Sequence, residues 1–170
     1  MQNMRTKGSR GFSLTELLVV VGIIMVIAAI AIPNLIRARI AANESSAVAT
    51  LRVLNNAEVT YAMTYGSGYS DTLTRLGPPA DGQQPSSTFA DLVDQILSGQ
   101  GPDGTGASFA KDGYRYSYQI IGTYPDVRAY SINADPVLRG SSGQRSFFTN
   151  EPLVIRAHAD AVATAADNPL

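Results

Sequence analysis

Apolar positions divide the chain into three regimes. From Phe12 to Ile32, 21 residues carry a single charge, Glu16, and the stretch from Leu17 to Ile32 is apolar without interruption. As a helix this segment rises ~31 Å, close to the ~30 Å hydrocarbon core of a bilayer. It is apolar all round, so lipid or other protein must surround it. Beyond Pro33 the pattern changes. Asn34 to Tyr65 contains no Gly or Pro, and Ala47, Leu51, Leu54, Tyr61, Ala62 and Tyr65 form an apolar stripe interrupted by Glu58. Arg52, Asn56, Thr60 and Thr64 fall on the opposite face, so this half predicts an amphipathic helix with one side laid on a domain. Because the helical pattern resumes at once after Pro33, the proline is expected to kink the helix rather than end it. One helix from Phe12 to Tyr65 would extend ~81 Å.

The third regime opens with Gly66-Ser67-Gly68, which should end the helix. Leu73 and Leu76 read as apolar anchors before the breaker cluster Gly77-Pro78-Pro79. Residues 87–98 predict a short amphipathic helix, with Phe89, Leu92, Val93, Ile96 and Leu97 on one face and Gly99 as its stop. Residues 99–113 hold five glycines and read as loop. Tyr114, Tyr116, Tyr118 and Ile120 then alternate with Arg115, Ser117, Gln119 and Ile121, the period of a half-buried strand. A turn over 122–126 leads to a second strand over 127–134, and two short strands are expected over 145–149 and 153–157. The tail, 158–170, reads as loosely ordered. These elements predict an α+β fold: a long N-terminal helix whose second half packs on an antiparallel sheet of three or four strands. The expected divisions are a leader (1–11), a membrane-spanning half-helix (12–33), an amphipathic half-helix (34–65), a loop-rich region (66–113), a sheet (114–157) and the tail.

Composition removes several function classes. A net charge of −1 and a pI near 5.7 give no basic footprint for nucleic acid. With no cysteine and only His158, disulfides and thiolate zinc sites are excluded and transition-metal chemistry is disfavoured. Asp103 and Asp112 lack the acidic density of a calcium loop. There is no phosphate-binding glycine loop after a strand and no nucleophile–base arrangement of recognisable context, so the chain reads as a non-enzyme without cofactor or metal.

The N-terminus admits three ordinary readings. A secretory signal peptide fits the basic start (Arg5, Lys7, Arg10) and Ala29-Ile30-Ala31, but the apolar run exceeds the usual 7–15 residues. A plain membrane anchor explains the length but not Glu16. A capping box, Ser13-Leu14-Thr15-Glu16, explains Glu16 locally and is compatible with further roles. By the positive-inside rule the basic start stays cytoplasmic, although Arg37 and Arg39 lie beyond the apolar segment.

The run Gly11-Phe12-Ser13-Leu14-Thr15-Glu16-Leu17, after a short basic leader and before an apolar segment reaching Pro33, closely resembles the type IV pilin signature. The resemblance implies that a prepilin peptidase cuts after Gly11 and methylates the new N-terminal Phe12. It implies that Glu16 and Phe12 act in filament assembly and that Pro33 distorts the helix. Many members have glycine at the position of Met25; here the glycine is Gly22. Residues 144–151 and 154–156 are also similar to the C-terminal sheet of pilins outside the disulfide-containing type. The implied partners are identical pilin subunits in a helical homopolymer, the prepilin peptidase, the inner-membrane pilus assembly machinery, and membrane lipid before assembly. The implied location is the bacterial inner membrane for the precursor and the extracellular pilus after assembly, with adhesion, motility or DNA uptake as pilus roles. A pseudopilin of a type II secretion system shares the motif and the long helix, and is the alternative. Removal of the leader's three basic residues takes the side-chain charge to −4, which does not favour DNA as a direct ligand.

Overall fold

A computed structural model describes residues 11–170; the basic positions Arg5, Lys7 and Arg10 lie outside them. One helix, α1 (Leu14–Tyr65), continues through Pro33. Pro33 has no amide proton, so the Ala29 carbonyl loses its intrahelical donor there. Chain contacts divide the protein into two units, Met1–Arg37 and Ala38–Leu170. In the first, the described residues form the start of α1, and its apolar side chains from Leu14 to Ile36 are exposed almost without exception.

In the second unit α1 buries one stripe. Ala47, Leu51, Leu54 and Tyr61 are fully buried, whereas Arg52, Asn56, Thr60 and Thr64 stay exposed. Their cover is a five-stranded antiparallel meander: β1 (Ser108–Lys111), β2 (Tyr114–Thr123), β3 (Asp126–Pro136), β4 (Ser146–Asn150) and β5 (Arg156–His158), in that order. The tyrosine alternation places Tyr114, Tyr116 and Tyr118 inside, where they join Tyr130, Ile132 and Phe147 against the helix stripe. Arg115 and Gln119 project to the opposite, solvated face. The α+β class with a long N-terminal helix and a small antiparallel sheet is therefore the observed one. Helix α1 ends where Gly66 takes a φ of 66°, its amide still bonded to Ala62 O at 3.0 Å.

Several expectations are corrected. Residues 87–98 form turns, not a helix. Their amides go elsewhere: Ala90 N donates to Arg75 O, Asp91 N to Gly77 O, and both Leu92 N and Val93 N to Leu76 O. Asp91 adopts a φ of 55°, and Asp94 Oδ1 accepts from the amides of Ile96 and Leu97 in a local turn. Val93 and Leu97 are still buried, whereas Phe89 and Leu92 are half-buried and Ile96 is exposed, so the expected apolar face is kept only in part on the different backbone. The segment 99–113 is not all loop, because Ser108–Lys111 pairs with β2 through the tight turn Asp112-Gly113, with φ values of 49° and 76°. This raises the sheet from three or four strands to five. The β2–β3 connection is shorter than the expected turn over 122–126, since pairing persists to Thr123↔Asp126 and only Tyr124-Pro125, with a cis bond, intervenes. The final strand covers Arg156–His158 rather than 153–157, with Leu153 at a φ of 64°.

The tail is ordered. Ala157 N donates to Asn168 O at 3.2 Å and Leu170 N to Ile155 O at 3.0 Å, so the tail pairs along the β5 edge. Asn133 Nδ2 donates to Ala163 O at 2.7 Å and Arg156 Nη1 to Asp167 O at 2.7 Å. Arg139 reaches Gln144 O, Ala159 O and Ser146 Oγ. In a chain without cysteine, these polar contacts and the sheet pairing hold the C-terminal edge.

Candidate functional site

Gly11, Phe12 and Ser13 precede the first turn of α1. Ser13 N donates to Glu16 Oε2 at 2.9 Å, and Glu16 N lies 3.4 Å from Ser13 Oγ, the reciprocal arrangement of a capping box. Leu17 N donates to Ser13 O at 3.2 Å and opens the intrahelical ladder. The local sequence dictates this start, because the four leading amides of a helix have no intrahelical acceptor and a Ser/Glu pair supplies two. Phe12 is 86% exposed. It shares a shallow concavity with Thr15, Glu16, Val19 and Val20, in which Glu16 is the only carboxylate. Phe12 and Glu16 are thus brought together at one end of the apolar run, and Pro33 stands near its other end, inside the helix.

The rest of the run is a surface without a partner. By length and composition α1 can cross a membrane, and none of its most apolar 18-residue window is buried within the chain. Burying a single Leu or Ile side chain is worth about 1.5–3 kcal/mol. A row of them left bare, from Leu17 through Ile32, implies an external apolar environment.

The sequence reading missed two other carboxylates on α1. Glu44 is buried against the β3–β4 connection, where its Oε1 accepts from the amides of Gln144 and Arg145, each at 3.1 Å. Its Oε2 accepts from Arg145 Nε at 2.9 Å and pairs with Nη2 at 2.8 Å. Glu58, read as an interruption of the apolar stripe, is fully buried. The signal was present in their spacing. Glu44 and Glu58 are 14 residues apart, nearly four helical turns, which puts both on the stripe of Leu51 and Leu54. His158 is partly covered; its Nδ1 accepts from the amides of Asp160 and Ala161 at 3.2 and 3.0 Å.

Residues 6–32 match the prokaryotic N-terminal methylation motif. Over 69 residues the chain is 39% identical to the type IV major pilin protein PilA of Myxococcus xanthus (strain DK1622), which covers 41% of this chain and 31% of that relative. The chain therefore spans about a third of the length of the curated relative it matches. No solved structure gives a significant match. The motif and the partial similarity both support the type IV pilin resemblance. With the apolar helix, the motif suggests a membrane-anchored precursor.

Proposed function

We propose that this chain is a structural subunit of a type IV pilus, polymerising through the first half of α1 after its leader, residues 1–11, is removed. The observation that carries this reading is the wholly unburied apolar run that begins directly behind Phe12 and Glu16. A monomer gains nothing from so long a bare helix. A subunit that meets lipid first and identical helices afterwards buries it twice.

The chemistry at the start of the helix supports the same reading. Glu16 satisfies one amide at the helix start but has no cationic partner among the described residues. Placing a carboxylate in an apolar core costs roughly 2.5–3.5 kcal/mol if it is central and uncompensated. Cleavage after Gly11 by a prepilin peptidase creates an amine on Phe12, within one helical turn of Glu16. That amine, on the same or a neighbouring subunit, neutralises Glu16 and fixes axial register, a use of buried polarity known in helical assemblies. Pro33, at the far end of the apolar half, supplies the place where the helix distorts. The assembly machinery of the inner membrane and identical subunits are the partners, and the second unit, with its sheet, faces outward on the filament. Adhesion, motility and DNA uptake are the pilus roles compatible with such a surface.

Mass spectrometry of the mature N-terminus tests the reading. A chain beginning at methylated Phe12 is the expected result; one beginning at Ile32 indicates signal-peptidase removal of the whole apolar segment and refutes it. Electron microscopy of surface filaments, with and without this chain, then separates a pilus subunit from a pseudopilin of a type II secretion system.

A further inference from the structure

Glu58 faces the interior and has no cationic partner among the described residues. Its Oε1 accepts from Ser70 Oγ at 2.7 Å and its Oε2 from Ser70 N at 3.0 Å. Tyr118, from β2, donates its hydroxyl to Ser70 O at 2.7 Å, and its oxygen lies 3.3 Å from Ser70 Oγ. The other titratable groups acting on this site are Asp71, from the segment after α1, and Tyr130, from β3. Asp71 is itself paired with Arg75, and Tyr130 donates to Asn55 Oδ1 at 3.1 Å. The site lies more than 20 residues beyond the apolar half of α1.

Two proton states of this cluster can be compared atom by atom. With Glu58 ionised, its charge rests on two neutral donors of one serine, deep in a tyrosine-rich core. With Glu58 neutral, Oε1–H donates to Ser70 Oγ, and the Ser70 hydroxyl turns to the Tyr118 oxygen. Tyr118 still donates to Ser70 O, and Ser70 N–H still donates to Oε2. That ring of hydrogen bonds closes with every polar atom satisfied and no buried charge. Burial accordingly pushes the acid up to about 7, against the opposing hydrogen bonds from Ser70 and Tyr118.

The serine belongs to a short strap, residues 66–70, whose Tyr69 ring stands edge-on to Tyr130 at 4.8 Å between centroids. Tyr69 N donates to Val127 O at 3.0 Å, and Gly68 forms an isolated parallel bridge with Val127. Gly68 takes a φ of 76°, and a Cβ there would run into the Val127 carbonyl, so the strap fits only as glycine in a tight seat. We propose that Glu58 is a proton-operated latch: neutral, it pins the strap between the end of α1 and the β2–β3 hairpin; ionised, it releases the strap. The latch is a property of the folded second unit and holds whether or not the chain polymerises.

The sign follows from linkage. The folded acid titrates above the ordinary carboxylate value of 4.5. Strap closure is therefore fully supported below about pH 4.5 and weakens as pH rises through about 7. Amide hydrogen exchange on the full chain in detergent micelles tests this. After correction for intrinsic exchange, protection of the Tyr69 and Ser70 amides is expected to fall by up to about tenfold per pH unit between pH 5 and 7. Amides of β3 and β4 should hold constant over that range. Glu58→Gln, a neutral stand-in that keeps one acceptor and one donor, should flatten the strap's profile. A flat wild-type profile, or an unchanged slope in Glu58→Gln, overturns the latch. Should Glu58→Gln fail to fold, carbon-13 titration of the Glu58 carboxyl in the unaltered chain decides. A midpoint clearly above 4.5 that coincides with the loss of Tyr69 and Ser70 protection supports the latch, and one at or below 4.5, or one without that loss, refutes it.

Discussion

The two halves of α1 share one backbone geometry and differ in what their carboxylates meet. In the half ending at Ile36 the apolar side chains have no stripe, and among the described residues the Glu16 carboxylate finds only the first-turn amide of Ser13. In the half from Glu44 to Tyr61, apolar side chains occupy one face, and each buried acid is held by donors from a distant part of the chain. Both halves contain acids among apolar residues. In the packed half the fold supplies the compensation. In the bare half it does not, so compensation must come from outside the chain or from its processing.

The sharpest way to break this comparison is to remove the acid of the bare half. On the proposed reading, Glu16→Ala leaves membrane insertion and the folded sheet intact, because among the described residues the Glu16 side chain bonds only to the Ser13 amide, yet filaments vanish. Abundant filaments of normal shape from this variant, seen by electron microscopy, would show that Glu16 is only a helix cap. A smaller effect, in the opposite half, tests packing. Leu51→Ala removes a fully buried side chain from the helix–sheet core and should cost about 2–5 kcal/mol. Ile24→Ala, at a side chain 58% exposed on the bare half, should leave denaturant stability within roughly 0.5 kcal/mol. Equal losses at the two positions would mean that the bare half is packed after all.

The same contrast explains what could be read from the sequence. The apolar run, the capping box and the stripe of Leu51, Leu54 and Tyr61 depend on local periodicity, and each is legible in residue order. So is the inward row of Tyr114, Tyr116 and Tyr118. Residues 87–98 have helical spacing too, but the carbonyls of Arg75, Leu76 and Gly77 capture their amides, a competition that periodicity does not record. Strand β1 was hidden by glycines around it, although Asp112-Gly113 carries a hairpin signal. The tail's order depends on Asn133, Arg139 and Arg156, whose long-range hydrogen bonds have no sequence pattern. The roles proposed for Gly11, Phe12, Glu16 and Pro33 rest on a motif that is local, of which the structure displays the capping box and the helix running on through Pro33. The place of Glu44 and Glu58 on the buried stripe is legible in their spacing, but their partners, Arg145 and Ser70, became visible only in the fold.

The finest test lies within the packed half, where the two acids respond to pH with opposite sign. Burial alone would raise the Glu44 carboxyl, but the amides of Arg145 and Gln144, together with the Arg145 guanidinium, outweigh it and hold the group below the ordinary carboxylate range. Its folded value is depressed, so its contribution is present above about pH 4.5 and is lost as pH falls through the folded value. Arg145 is 45% exposed at its side chain, which screens the pair, so the loss in Glu44→Gln should be modest, roughly 1–2 kcal/mol near neutrality. Denaturant midpoints, read from tyrosine circular dichroism, should separate Glu44→Gln from the unaltered chain at pH 7 and converge toward pH 3. A gap that persists at pH 3 would assign the effect to shape rather than charge. Glu58 runs the other way, losing its contribution as pH rises. The packed half should therefore be weakened on both sides, by Glu44 in acid and by Glu58 as pH rises from about 4.5 through about 7, with its stability greatest between the two titrations.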